Sequence, residues 1–97
     1  MGALKTRKLL ESFMTNAPHL VQRVRDAVLE QRLDSVEAIA HELKGVSSNI
    51  GARSLALAAG EIVDRCRNHQ TQDLSEKIGT LDRLCRETLD GLTVWLQ

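Results

Sequence analysis

Aromatic residues are nearly missing from this chain, which has one Phe, one Trp and no Tyr among 97 residues. β-Sheet formation thereby loses several of its favoured side chains, and any core must be built from Leu, Val, Ile and Ala. Proline occurs once. Pro18 falls where a helix can begin, because its fixed φ suits a first turn while the residue before it disfavours helix. Cysteine occurs twice, as Cys66 and Cys85, without the spacing of a disulfide framework. So aliphatic a chain needs no covalent staple, so both thiols are expected to be reduced in a cytoplasmic setting. Net charge is absent as well. Thirteen basic residues balance 13 acidic ones, so no long-range field draws the chain onto nucleic acid or an anionic membrane. Apolar runs extend only a few residues, too short to span a bilayer, and the first residues lack the hydrophobic region of a signal peptide. Met1-Gly2-Ala3-Leu4-Lys5-Thr6 fits the short N-myristoylation pattern. A pattern this loose recurs by chance, and a start placed ahead of an excised domain is the plainer expectation.

What is present points to helices. Hydrophobic residues make up 42% and charged residues 27% of the chain, the balance of an ordinary globular domain. A single domain over residues 1–97 should bury roughly 60 to 70% of the surface its unfolded form exposes. Leu9, Leu10, Phe13 and Met14 recur at helical spacing ahead of Pro18, and Leu20, Val21, Val24, Ala27, Val28 and Leu29 do so after it. These predict helices over 4–15 and 18–32. Asp34 or Ser35 can cap a third helix over 35–50, whose stripe of Val36, Ile39, Ala40, Leu43, Val46, Ser47 and Ile50 must face a core. Gly51 can take the left-handed conformation that ends a helix. A fourth helix over 52–68 would bury Leu55, Ala58, Ala59, Ile62, Val63 and Cys66. A last one over 72–96 would bury Leu74, Ile78, Leu81, Leu84, Cys85, Thr88, Leu89, Leu92 and Trp95. No strand pattern appears. Short connections favour antiparallel neighbours, so the expected fold is all-α, an up-and-down antiparallel four-helix bundle with a short additional N-terminal helix.

The third helix has a second face. Asp34, Glu37, His41, Lys44, Gly45 and Ser48 follow the helical period about half a turn from the core stripe, which sets His41 on the solvent side. Gly45 is costly there, since Ala, Lys or Glu would stabilise an exposed helix position by up to roughly 1 kcal/mol. A glycine at i+4 leaves the imidazole open to another protein. Lys44 at i+3 can set an ammonium beside the ring, and Ser48 at i+7 can offer a hydroxyl to an anion or a bridging water. Each of these residues taken alone is ordinary solvated surface.

Taken together, the stretch resembles the signature of the histidine-containing phosphotransfer (HPt) family. The matching positions are Ala40, His41, Leu43, Lys44, Gly45, Ser47, Gly51, Ala52 and Leu55, and Leu9-Leu10, Phe13, Ala17-Pro18 and Leu20 also look like the family. The resemblance implies that His41 accepts a phosphoryl group from a receiver-domain aspartate and passes it to another receiver. Lys44 would be its electrostatic partner and Gly45 the clearance for docking. It further implies a phosphorelay carrier in two-component signalling, monomeric and cytoplasmic, with no kinase activity and no cofactor of its own. Mg²⁺ would come with the receiver. Another setting consistent with the resemblance is the C-terminal, cytoplasmic domain of a membrane-bound hybrid sensor kinase. Family members often carry Gln or Glu on the following helix within reach of the imidazole. The corresponding position here is Val63, which cannot hydrogen-bond, leaving water, Ser48 or Glu37 to orient the ring.

Other chemistries fit less well. His41-Glu42 lacks the second His at i+4 that a zinc-protease helix needs, since Gly45 stands there. His19, Cys66, His69 and Cys85 offer only one short ligand spacing, and Cys66 lies on a predicted core face, so no metal site is expected. Both cysteines read as core packing rather than as nucleophiles. The segment from Gly45 to Gly51 lacks the Gly-Lys-Ser/Thr ending and the preceding strand of a phosphate-binding loop. The alternative from another class is a helical docking module that binds a receiver or kinase without carrying phosphate.

Overall fold

A computed structural model describes the backbone of residues 3–97 and the side chains of residues 6–97. The first two residues of the possible myristoylation pattern lie outside the described residues. Four helices account for nearly all of the rest: α1 Ala3–Leu29, α2 Leu33–Asn49, α3 Arg53–Arg67 and α4 Leu74–Leu96. Among the described residues there is no strand. Each helix packs on its two neighbours around the bundle, α1 on α2, α2 on α3, α3 on α4 and α4 back on α1, and the backbones of the diagonal pairs stay apart. The all-α antiparallel four-helix bundle is therefore present.

The short N-terminal helix is not separate. One 27-residue helix runs straight through Pro18, where the sequence pattern predicts a break. Pro18 is exposed, so its ring points outward and its missing N–H leaves only a near-surface carbonyl without a helical partner. An interior proline costs about 3 kcal/mol of helix propensity. Against this, Leu10, Phe13, Ala17 and Leu20 form one buried stripe across the proline, and each large side chain contributes roughly 1.5–3 kcal/mol on burial. A break would swing Leu10 and Phe13 off that stripe, so continuity wins.

Three of the helix ends turn in the same way. After α1, Gln31 adopts φ 58° and the amides of Gln31 and Arg32 donate to the carbonyls of Val28 and Ala27. After α2, Gly51 adopts φ 77° with Gly51 and Ala52 donating to Ser48 and Ser47. After α3, His69 adopts φ 56° with His69 and Gln70 donating to Cys66 and Arg65. This paired bonding satisfies carbonyls that a helix end otherwise leaves open. The first turn also explains why Asp34 and Ser35 do not cap α2. The chain leaves the turn already helical at Leu33, so Arg32 holds the cap position without a side-chain bond.

The core is aliphatic apart from Phe13. Val24, Val36, Leu43, Leu55, Ile62 and Leu81 are fully enclosed, and Cys66 and Cys85 are free thiols within it. Burial raises both thiol pKa values above their ordinary value, with Glu37 adding to the effect at Cys66 and Asp82 at Cys85. Ser47 is also fully buried and its Oγ has no hydrogen-bond partner. Three positions of the predicted apolar stripes are exposed instead, Leu9 by 48%, Leu29 by 77% and Trp95 by 65%. Leu29 is the last residue of α1 and lines only an open hollow with Ser75 and Ile78 of α4. The 17-residue α2 and 15-residue α3 are shorter than α1 and α4, so the far turns of α1 and α4, Trp95 among them, are less covered. The 43 Å long axis accordingly matches the roughly 40 Å length of α1 at 1.5 Å per residue. No described helix is long and apolar enough to cross a membrane.

Candidate functional site

The burial of α2 fixes the direction of His41. Val36, Ile39, Ala40, Leu43 and Ser47 are buried on one side of the helix, which turns His41, Glu42, Lys44, Gly45 and Ser48 to solvent. The His41 ring forms no hydrogen bond or ion pair with any described residue. Its nitrogens are open to a reactant.

His41 stands at the edge of an open depression of about 460 Å³ that it shares with Asp34, Glu37, Ala38 and Arg67. Arg67 closes the far side. It is the last residue of α3, and its Nε–H donates to Glu37 Oε2 at 3.1 Å across the two helices. The depression thus holds two carboxylates and one guanidinium beside an imidazole. The charge of Glu37 also disfavours the thiolate of the buried Cys66, adding to the effect of burial.

Lys44 and Ser48 line a different hollow. A groove of about 610 Å³ between α2 and α3 is bounded by these two residues with Gly51, Arg53, Ala56, Leu57, Gly60, Glu61 and Asp64. The Lys44 side chain lies flat over Gly60. A Cβ on that glycine would meet Lys44 Cδ at 3.5 Å, Cε at 3.6 Å and Nζ at 3.8 Å, so the missing side chain gives the lysine its bed. Lys44 makes no ion pair with a described residue, whereas the neighbouring Glu61 is held by Lys77 at 2.8 Å. The ammonium in this conformation rests on α3 rather than beside the ring. Gly45 has open space where a Cβ would point, so no packing contact demands it.

Val63, the position where the resemblance places a hydrogen-bonding residue, is 3% exposed and belongs to the aliphatic core. The residue α3 sends to the depression is Arg67, which sequence reasoning did not single out. A signal was there: Glu37 and Arg67 lie almost equally far from Gly51 along the chain, and an antiparallel pair of helices turning at that glycine must bring them level. His19 and His69 are exposed and take no part in the depression. Among the described residues no group of three or more His, Cys, Asp or Glu side chains gathers as a metal site.

The four-helix bundle thus presents one unencumbered imidazole from the middle of a helix, with Arg67 in the same depression and a bare glycine one turn on. A family model for the Hpt domain matches residues 8–92, and the chain belongs to that family. No curated protein and no solved structure shows significant similarity to it. Domains of this family take part in phosphotransfer within two-component phosphorelays, meet receiver domains, and are carriers rather than kinases.

Proposed function

We propose that His41 is the phosphoryl-accepting residue of this chain, receiving the group from the aspartate of one receiver domain and yielding it to that of another. The observation that carries this is the exposed, unpartnered ring on a helix otherwise anchored in the core. An imidazole nitrogen, Nε2 by family resemblance, directs its lone pair at phosphorus. The N–P bond forms as the P–O bond to the aspartyl carboxylate breaks, and the carboxylate leaves as an anion. The reverse step returns the group to a second receiver.

This chain's own residues supply geometry and charge. Gly45 clears the approach along α2; Arg67 shares the depression with the ring, and Lys44 sits one turn on, resting over Gly60. Lys44 has no competing partner, so its side chain can leave Gly60 and turn toward a phosphoryl group carrying about −2 charge. Mg²⁺ belongs to the receiver's acidic pocket, where it neutralises charge during transfer. As a carrier rather than a kinase, the chain would receive its phosphoryl group from a partner. We further propose that it acts as a monomer in the cytoplasm.

Incubation with a phosphorylated receiver should place acid-labile, base-stable label on the wild-type chain and none on His41→Gln, whose far-ultraviolet circular dichroism should be unchanged. Label persisting in the Gln variant would remove His41 from the role. Stable receiver binding with no label at all would leave a docking module in its place.

A further inference from the structure

We infer that Lys77, on α4, is a positioning residue for phosphoryl transfer: by holding Glu61 it keeps that carboxylate off Lys44 and leaves the lysine able to meet a phosphoryl group on His41. This deepens, and rests on, the reading of His41 as the phosphoryl-accepting residue. Lys44 lies one helical turn from His41, rests over Gly60 and makes no ion pair with a described residue. Its ammonium is uncommitted although two carboxylates, Glu61 and Asp64, line the same groove. Glu61 follows Gly60 directly in the chain, and Lys44 Nζ is 3.8 Å from where a Cβ on Gly60 would stand. A glutamate turned toward α2 would therefore have that ammonium within ion-pair reach.

Glu61 is turned the other way. Its Oε2 accepts a hydrogen bond from Lys77 Nζ at 2.8 Å, from α4 across to α3. The Lys77 side chain is 25% exposed and that of Glu61 56%, so the cation is the better anchored of the two. Asp64, one turn beyond Gly60, has the shorter side chain and makes no ion pair among the described residues. An ion pair between Lys44 and Glu61 would compete with the phosphoryl group for the ammonium. Exposed pairs are individually weak, yet they shift such a competition about twofold to fivefold. Lys77 lines neither hollow, and α4 does not pack on α2. Its influence on the site must therefore pass through Glu61 and Lys44.

The test labels the intact chain with the small anionic donor phosphoramidate, whose N–P bond breaks with loss of ammonia as the bond from the imidazole nitrogen to phosphorus forms. No docking surface enters. Lys44→Gln should slow labelling and set the floor. Lys77→Gln should slow it about twofold to fivefold, Glu61→Gln should label at least as fast as wild type, and the Lys77→Gln, Glu61→Gln double variant should recover the wild-type rate. In a Lys44→Gln background, Lys77→Gln should change nothing further. A merely structural tie between α3 and α4 predicts another pattern: Glu61→Gln as damaging as Lys77→Gln, no recovery in the double variant, and rates that track urea midpoints. That pattern would overturn the assignment. So would equal labelling of Lys77→Gln and wild type, a Lys77→Gln loss that persists without Lys44, or wild-type labelling of Lys44→Gln. Failure of the parent reading looks different: His41→Gln then labels at the wild-type rate, whatever stands at position 77.

Discussion

Glu37 is the one acidic side chain both beside His41 and tied to a cation, and its replacement by Gln tests the electrostatics of the site most directly. A carboxylate one turn before His41 on the same helix face lies roughly 8 Å from a phosphoryl group on the ring. A charge of −1 facing −2 at that distance in water costs about 1 kcal/mol, and physiological salt screens this to about 0.4 kcal/mol. Removing it should raise the equilibrium share of phosphoryl on His41 by about twofold to fivefold. The same change frees Arg67 from its 3.1 Å bond to Glu37, which pushes in the same direction. Arg67→Ala should do the reverse, because it strips away the cation and leaves Glu37 unbalanced. The double variant should return close to wild type, since a neutral pair has been deleted as a unit. Phosphorus NMR of the chain at equilibrium with a charged receiver reads the occupancy, and repeating it at 1 M salt should erase the differences as the screening length falls to about 3 Å. Lower occupancy in Glu37→Gln, or a change indifferent to salt, would refute the argument and make Glu37 a contact that orients the ring.

Four other outcomes follow from the structure. Gly45→Gln should stabilise α2 by about 0.5 kcal/mol, because an added side chain meets open space, yet slow receiver transfer about tenfold by obstructing the docked face; denaturant midpoints and transfer rates measured together would show the opposite signs. Ser47→Ala removes a buried hydroxyl with no partner and should be neutral or stabilising by about 1 kcal/mol in urea unfolding. Gln31→Gly relieves a left-handed φ of 58° and should stabilise by about 0.5–1 kcal/mol after the entropy cost of glycine, visible as a raised Tm. Cys66 and Cys85 have thiol pKa values raised by burial above the ordinary 9.0. Their neutral form is therefore favoured in the native state, so this contribution to stability is present below the unfolded thiol pKa and is lost as pH climbs through the folded ones; native alkylation by iodoacetamide should be slow at pH 8, and the unfolding free energy should fall from about pH 9 upward.

How far the sequence alone reveals this molecule depends on the kind of signal each feature leaves. The stripe of α2 and its solvent face were legible because burial and exposure alternate with the helical period, and His41, Lys44, Gly45 and Ser48 are indeed exposed. The turn at Gly51 was legible because glycine is the residue that tolerates its φ. The matching turns at Gln31 and His69 were not, since neither side chain advertises a left-handed backbone and only the hydrogen-bonded ending reveals it. Pro18 misled because its local preference is strong, while the apolar stripe that overrules it is spread over several turns. Leu29 and Trp95 fit the period of their helices but lie at helix ends, where they stay largely exposed. Arg67 was hidden by distance along the chain, and so was the bed that Gly60 makes for Lys44, because both depend on how α2 and α3 lie against each other.

The three-residue link at 50–52 joins α2 directly to α3, and every side chain lining the depression or the groove, from Asp34 through His41 and Leu57 to Arg67, falls on that one helical hairpin. The outer pair, α1 and α4, supplies a backing wall and lines neither of these two hollows. Transplanting residues 33–67 onto the outer helices of a different bundle, with the contact layer repaired, should carry the reactivity along. Partner choice and thermal endurance could then be tuned on separate parts of the same small chain.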